Sequence, residues 1–308
     1  MNMPSKVELV DVGLRDGLQN EKTILSVEEK LKIVHMLEKS GFKSIQLGSF
    51  VHPKAVPQMA NTDEIFQQVK RIEGIRYFAS PIPNMRGLER AIACGCNSVR
   101  IAVSASKEHN LRNYKCTPEE TINGFKDVVI KAHENNIYVD GGVMMAFGSP
   151  WDAEIAFEDI KNILDIYSSM GINEFNICDT AGMANPTQVY EMCLKLKECY
   201  PNAKWSFHFH NTRGLALANI VAAMQAGMTV FETSFSGLGG CPFVPNATGN
   251  ISTEDTLNML NGMGVETGLD INNVIETGKL VSSIVNHEDS FVLKAGTNEM
   301  LMKSMADK

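Results

Sequence analysis

Phe207-His208-Phe209-His210-Asn211 ends an apolar stretch of the chain in two histidines that are separated by one residue. In a β-strand, residues i and i+2 face the same side, so both imidazoles would point in one direction. The polar residues that follow place the pair at the end of the strand, beside a loop. Two neighbouring imidazoles can share a divalent metal ion; the alternative is a pair of buried histidines with ordinary hydrogen bonds.

Short apolar segments alternate with longer amphipathic segments along the rest of the chain. Eight such units predict strands at 7–12, 44–50, 76–82, 98–104, 137–145, 174–178, 204–210 and 230–234. This alternation favours a parallel sheet, and eight units favour closure into a (β/α)8 TIM barrel. An open doubly wound sheet is the alternative, but no Gly-x-Gly-x-x-Gly sequence follows the first strand.

Local signals predict where several helices begin and end. Ser26 is a suitable N-cap for a helix over 26–40, Glu29 completes a capping box, and Gly41 is a suitable stop. A polar loop is expected over 105–116. The composition does not change along the 308 residues. We therefore expect a single domain over 1–308, in which 253–308 form extra C-terminal helices that pack on or cover the barrel.

Composition argues against several classes of partner. The net charge of −8 disfavours nucleic acid, and no apolar run reaches membrane-spanning length. The first residues lack the apolar core and cleavage site of a secretory signal. The seven cysteines include no two C-x-x-C pairs, which indicates free thiols in a reducing compartment. A cytoplasmic protein is expected.

The carboxyl ends of the strands form the active site in a (β/α)8 barrel. Asp16 and the two histidines lie at such ends, and an oxygen- and nitrogen-rich set suits Mg²⁺ or Mn²⁺ better than structural zinc. The alternative for Asp16 is a turn or cap aspartate. Arg15 could neutralise an enolate or bind a carboxylate, and its alternative is a surface ion pair.

Cys241 lies between Gly-Gly and Pro, so it belongs to a loop rather than to a regular strand or a helix interior. A loop thiol near a metal can give or take a proton. The alternative is an idle surface cysteine.

Several segments resemble the signature sequences of the hydroxymethylglutaryl-CoA lyase family, the metal-dependent TIM-barrel carbon–carbon lyases. These segments are Asp11–Lys22, Ser49–Lys54, Val56–Met59, Asp179–Gly182, Gly237–Phe243 and Ala247–Asp255. The similarity extends from about Val7 to the last helices. The wider family of barrel lyases and synthases shares Arg-Asp-Gly and His-x-His, whereas the Gly-Gly-Cys-Pro loop belongs to the lyase branch.

The resemblance implies a divalent metal ion, Mg²⁺ or Mn²⁺, and a role for each matching residue. The implied metal ligands are Asp16, His208, His210 and Asn250. Arg15 matches the catalytic arginine that neutralises the enolate, and Cys241 matches the cysteine of the mobile loop. Polar residues in or near the site are matched by Gln19, Asp179 and Glu254. Asp179 or a metal-linked water, together with Cys241, would transfer the protons.

The expected reaction cleaves the C2–C3 bond of a 3-hydroxyacyl-CoA such as 3-hydroxy-3-methylglutaryl-CoA. Its products would be acetyl-CoA and a keto acid, acetoacetate. The expected partner is therefore an acyl-CoA thioester, and a homo-dimer is expected. The alternatives are a lyase for a different 3-hydroxyacyl-CoA, an acyl-CoA condensing synthase and a non-catalytic barrel.

The sequence departs from the family pattern at four positions. Gln46, a candidate for substrate binding, replaces a glutamate, and Asn211 replaces an aspartate. Asp140 and Gly142 stand where the family has Arg-x-Tyr on strand five. Because a cation and an aromatic ring are lost there, the part of the acyl group that is recognised should differ.

Overall fold

Eight parallel strands close into a barrel in the order of the sequence. The computed structural model describes residues 3–152, 154–240, 249–288 and 290–306. The strands are β1 (Glu8–Asp11), β2 (Ser44–Gly48), β3 (Arg76–Ala79), β4 (Ser98–Ser104), β5 (Tyr138–Met144), β6 (Glu174–Asp179), β7 (Lys204–Phe209) and β8 (Val230–Thr233). β8 pairs in parallel with β1 and closes the barrel. The predicted TIM barrel is confirmed.

Helices surround the barrel. The first seven are α1 (Val27–Ser40), α2 (Thr62–Gln68), α3 (Met85–Ala93), α4 (Lys107–Tyr114), α5 (Pro118–Gly124), α6 (Lys126–Glu134) and α7 (Phe157–Ser169). The others are α8 (Pro186–Cys199), α9 (Ala216–Gln225), α10 (Thr253–Gly262), α11 (Ile271–Val285), α12 (Phe291–Ala295) and α13 (Asn298–Ala306). Apolar side chains of the strands and helices form the main core between the two layers.

The caps predicted for α1 are confirmed. Ser26 Oγ accepts a hydrogen bond from the Glu29 amide, and the Glu29 carboxylate accepts one from the Ser26 amide. Gly41 ends the helix at a φ of 102°, a conformation that glycine adopts without a Cβ clash. The boundary was predictable because these bonds join residues three positions apart.

The loop predicted over 105–116 is wrong, because α4 occupies most of it. Its polar sequence has no amphipathic pattern that would predict a helix. Ser106 Oγ caps it by accepting from the His109 amide, and the buried Asn110 side chain donates to Thr121 Oγ1. Side-chain hydrogen bonds rather than apolar burial hold this helix in place.

The C-terminal helices extend from the end of the barrel. The Asp255 carboxylate, in α10, accepts hydrogen bonds from the amides of Phe291 and Val292, which begin α12. Val292 and Leu293 pack on Ile275 of α11. In the part of the chain that the structure describes, no helix combines the length and apolarity needed to cross a membrane.

Charged side chains fill the lower barrel interior. Asp140 of β5 is fully buried and accepts hydrogen bonds from Arg100 of β4 and Arg76 of β3. Arg100 also donates to Glu232 of β8, and Arg76 donates to Glu174 of β6. An alternating row of acids and bases therefore crosses the barrel beneath its carboxyl mouth.

Candidate metal and acyl-CoA site

A single π-helical turn over Gly13–Gly17 follows β1 and carries Arg15 and Asp16. The carbonyl of Val12 accepts hydrogen bonds from the amides of Arg15, Asp16 and Gly17, at N···O distances of 3.2, 2.8 and 3.3 Å. The Asp11 carboxylate accepts from the Gly13 amide and fixes the start of the turn. Such turns are rare, and they are frequent at functional sites.

Asp16, His208 and His210 converge at the carboxyl mouth of the barrel. Each offers a ligand atom, and these atoms lie within 4.8 Å of one another. The two imidazole centroids are 5.0 Å apart, as expected when His208 of β7 and His210, the residue directly after this strand, face the same side. The three side chains are buried, so they form a prepared cluster rather than a solvated surface group.

Asn250 completes this cluster from a segment far away in sequence. Its Nδ2 donates to Asp16 Oδ2 and to the Leu238 carbonyl, both at 2.9 Å. Its Oδ1 and His210 Nδ1 are buried and have no hydrogen-bond partner among the described residues. A carboxylate, two imidazoles and an unsatisfied amide oxygen fit a divalent cation.

The electrostatics of Asp16 and His210 favour the forms that bind a metal. His208 differs, because burial lowers its pKa but the Glu232 hydrogen bond and the Asp16 charge outweigh this and raise the pKa above its ordinary value. Burial raises the pKa of Asp16, but Arg15, the two histidines and the Asn250 amide outweigh it and bring the pKa to about 2. Burial, aided by His208, lowers the pKa of His210 to about 3. At neutral pH the site therefore presents a carboxylate and a neutral imidazole.

Glu232 orients His208 and was not among the residues predicted from the sequence. Its carboxylate Oε2 lies 2.9 Å from His208 Nδ1. Burial raises the pKa of Glu232, but Arg100 and His208 outweigh it and bring the pKa to about 2, so the group is an ionised acceptor. Nδ1 must donate, which leaves Nε2, 3.8 Å from Asp16 Oδ2, for the metal side. The position of Glu232 inside the apolar strand predicted over 230–234 was the feature of the sequence that could have identified it.

Arg15 lies beside the cluster on the wall of a cavity of about 590 Å³. Its guanidinium donates to Asp16, and its Nε is buried with no hydrogen-bond partner within the described ranges. Gln19, His208 and His210 line the same cavity. The structure therefore brings Arg15 and Gln19 to the candidate metal cluster.

Two further predicted residues, Gln46 and Asp179, are buried and do not line this cavity. Gln46 is 1% exposed in β2, and its Oε1 has no described partner. Asp179 Oδ1 accepts hydrogen bonds from the amides of Met183 and Ala184. Burial raises the pKa of Asp179 to about 7, although these amides act in the opposite direction. Asp179 Oδ1 therefore holds the loop after β6, whereas its Oδ2 is buried with no hydrogen-bond partner among the described residues.

The glycine-rich segment after β8 leads from the site towards Cys241, which lies outside the described residues. Gly240 lines the cavity, and its carbonyl accepts a hydrogen bond from Asn20 Nδ2 at 2.7 Å. Glu254 is fully buried beneath this segment, where it accepts from the Ser236 amide and the Ser252 hydroxyl. Glu254 therefore supports the segment from below.

The departures on strand five have a structural explanation. Asp140 pairs in register with Arg100, so the neighbouring strand supplies the cation that strand five lacks. A Cβ at Gly142 would lie 3.3 Å from Arg100 Cδ and 3.2 Å from Ala102 Cβ. Gly142 leaves room for the Arg100 side chain. Asn211 accepts from the Ala216 amide and supports the start of α9.

Comparisons with known proteins agree with this architecture. The HMGL-like family model matches residues 6–281. Human mitochondrial hydroxymethylglutaryl-CoA lyase is 37% identical over 290 residues, which cover 94% of this chain and 88% of the human protein. A Pseudomonas aeruginosa 3-hydroxy-3-isohexenylglutaryl-CoA/hydroxy-methylglutaryl-CoA lyase is 35% identical over 285 residues, which cover 92% of this chain and 95% of the bacterial protein. The structure of an HMG-CoA lyase from Acinetobacter baumannii, in complex with coenzyme A and 3-methylmalate, has a TM-score of 0.91 at 35% identity and 96% coverage of both chains.

Proposed function

Because the chain belongs to the HMGL-like family, we propose that it is a metal-dependent carbon–carbon lyase. Its substrate is a 3-hydroxyacyl-CoA such as 3-hydroxy-3-methylglutaryl-CoA, and its products are acetyl-CoA and acetoacetate. The observation that supports this most directly is the cluster of Asp16, His208 and His210 beside Arg15 on the wall of one cavity. Two relatives that carry this activity in their names support the choice of substrate.

The proposed metal ligands are Asp16, His208, His210 and Asn250, and the proposed ion is Mg²⁺ or Mn²⁺. Oxygen and imidazole donors suit these ions, and the unpartnered Asn250 Oδ1 supports a fourth protein ligand. A bound divalent cation would supply Lewis acidity at the C3 hydroxyl and lower its pKa.

The chain's own residues would then manage charge and protons. The C3 hydroxyl gives up its proton, the C2–C3 electron pair moves to C2, and the C3 oxygen becomes the ketone of acetoacetate. Arg15 neutralises the enolate of acetyl-CoA, because its guanidinium lies on the cavity wall. C2 then takes a proton. Asp179, whose pKa of about 7 suits proton exchange, and Cys241 are our candidates for the two transfers.

Gln19 is proposed to bind the substrate from the cavity wall. Gln46 is proposed to do so from its buried place in β2, where its amide oxygen has no described partner. A cytoplasmic location and a homo-dimer stay predictions from the sequence.

The proposal is tested on purified protein that has been stripped with EDTA and reloaded with Mn²⁺ or Mg²⁺. A panel of 3-hydroxyacyl-CoAs is supplied, and acetyl-CoA and the keto acid are measured by mass spectrometry. Turnover of 3-hydroxy-3-methylglutaryl-CoA that requires the metal is the expected result. Release of free CoA from acetyl-CoA plus a keto acid would favour a condensing synthase, and no reaction with any substrate would favour a non-catalytic barrel.

His208→Ala should abolish metal-dependent turnover and weaken Mn²⁺ binding without unfolding the barrel. His35→Ala is the matched control, because that imidazole is 80% exposed on α1. Mn²⁺ binding is followed by electron paramagnetic resonance and folding by circular dichroism. Unchanged activity and Mn²⁺ affinity in His208→Ala would refute the metal assignment.

A further inference from the structure

Tyr114, the last residue of α4, carries a buried hydroxyl that nothing in the described structure satisfies. Its ring packs edge-on against Phe125, with a centroid distance of 6.5 Å. A buried polar group without a hydrogen-bond partner destabilises the folded state, so such a group calls for an explanation. The direct explanation is that a hydrogen-bond acceptor on a bound ligand accepts from the Tyr114 hydroxyl.

The position of Tyr114 indicates where that acceptor would be. The residue lines the same cavity as Arg15, Asp16 and the two histidines. Gly142, which has no side chain, lines this cavity as well. Burial raises the pKa of the phenol above its ordinary value, although Arg15 opposes this, so the hydroxyl stays protonated and able to donate.

The two guanidinium groups that line the cavity already have anionic partners. Arg15 is paired with Asp16, and Arg100 is held by Asp140 and Glu232. A substrate carboxylate that enters this cavity loses water and needs hydrogen-bond donors in return. Neutral donors such as the Tyr114 hydroxyl can provide them.

We propose that Tyr114 is a specificity residue that donates a hydrogen bond to the distal carboxylate of the acyl group. The inference rests on the proposed function, which assigns the thioester oxygen to Arg15 and the C3 hydroxyl to the cation. The distal carboxylate is then the remaining acceptor on the acyl chain. Tyr114 thus selects a dicarboxylic 3-hydroxyacyl-CoA over its monocarboxylic analogue.

The test compares two ligands that differ in the distal carboxylate. Glutaryl-CoA carries it, and butyryl-CoA has hydrogen in its place. Their dissociation constants are measured by calorimetry with the Mn²⁺-loaded wild type, Tyr114→Phe and Tyr190→Phe. Tyr190 is an exposed tyrosine of α8 and serves as the matched control.

Tyr114→Phe should weaken glutaryl-CoA about 10- to 100-fold, the range for a hydrogen bond to a charged group, and butyryl-CoA by less than roughly 3-fold. The ring packing on Phe125 is kept, so a purely structural role would affect both ligands equally. Equal losses, or no loss for glutaryl-CoA, would overturn the inference.

Turnover of the wild type separates this inference from the proposed function. If the wild type cleaves 3-hydroxy-3-methylglutaryl-CoA and Tyr114→Phe binds glutaryl-CoA normally, the Tyr114 inference fails and the reaction stands. If the wild type cleaves nothing and Tyr114→Phe still weakens the binding of glutaryl-CoA but not of butyryl-CoA, Tyr114 binds the carboxylate and the reaction assignment fails.

Discussion

His208 has a different partner for each ring nitrogen. Nδ1 meets the Glu232 carboxylate at 2.9 Å, and Nε2 faces Asp16 at 3.8 Å. Glu232 is held in turn by Arg100. A carboxylate behind a ligating imidazole fixes its tautomer and increases its basicity, so in the proposed metal site the strength of binding at His208 would depend on Glu232.

Glu232→Gln should weaken Mn²⁺ binding by about 10- to 100-fold, because the amide neither holds the imidazole tautomer as firmly nor carries charge. The dissociation constant is measured by calorimetry in EDTA-stripped protein. An unchanged constant would show that Glu232 does not tune the site.

Asp140→Asn is the matched control for this change. It removes the other anionic partner of Arg100 but does not touch His208. Breaking a buried ion pair costs about 3–5 kcal/mol, so the free energy of unfolding should fall in urea titrations. Its Mn²⁺ affinity should stay at the wild-type value, which would distinguish a loss of stability from a loss of metal affinity.

At the scale of elements, the π-helical turn after β1 depends on close packing against the segment after β8. Gly13 faces the buried ring of Phe235, and an added Cβ at Gly13 would clash with that ring. Because Asp16 lies three residues further along the same turn, this contact sets the height of the carboxylate at the barrel mouth.

Gly13→Ala should destabilise the protein by about 1–3 kcal/mol, because the added methyl group overpacks the site. The free energy of unfolding is measured in urea for Gly13→Ala, Phe235→Leu and the double variant. The free energy of unfolding of the double variant should fall by less than the sum of the two single losses, because a leucine side chain is smaller than the phenylalanine ring and makes room for the methyl group. Strict additivity would mean that the two residues are not coupled.

At the scale of the molecule, the contributions of different buried carboxyl groups to stability change with pH in opposite directions. Those paired with cations, Asp16 and Glu232, have lowered pKa values. They stabilise the fold above the unfolded pKa, and this stabilisation is lost as the pH falls towards about 2. Glu254 behaves in the reverse way, because burial, opposed by the Ser252 and Ser236 hydrogen bonds, raises its pKa to about 7.

Glu254 binds its proton more tightly in the folded state than in the unfolded state, whose value is 4.5. The stability it contributes is therefore present below about pH 4.5 and is lost as the pH rises to about 7. Between pH 4.5 and 7.5, the free energy of unfolding of the wild type should fall by about 2–3 kcal/mol relative to that of Glu254→Gln. Urea titrations in EDTA measure this, with the exposed Glu276→Gln as control. Parallel pH profiles for wild type and Glu254→Gln would contradict it.

The sequence by itself determined the barrel, the lyase family and the central part of the candidate site. Strand and helix periods, capping boxes and terminal glycines act over a few residues, so they can be recognised without a structure. The rule that barrel sites lie at strand ends then selected Asp16, His208 and His210, which the structure brings together. The family prediction is confirmed by the HMGL-like match.

The tertiary structure decided which distant residues meet. Asn250 reaches Asp16 across 234 positions, and Glu232 reaches His208 only through the register between β7 and β8. The pairing of β4 with β5 places Arg100 beside Asp140, and buried side-chain bonds make α4 a helix that ends at Tyr114. No local pattern encodes such contacts, because they depend on strand register and on packing between segments far apart in the chain.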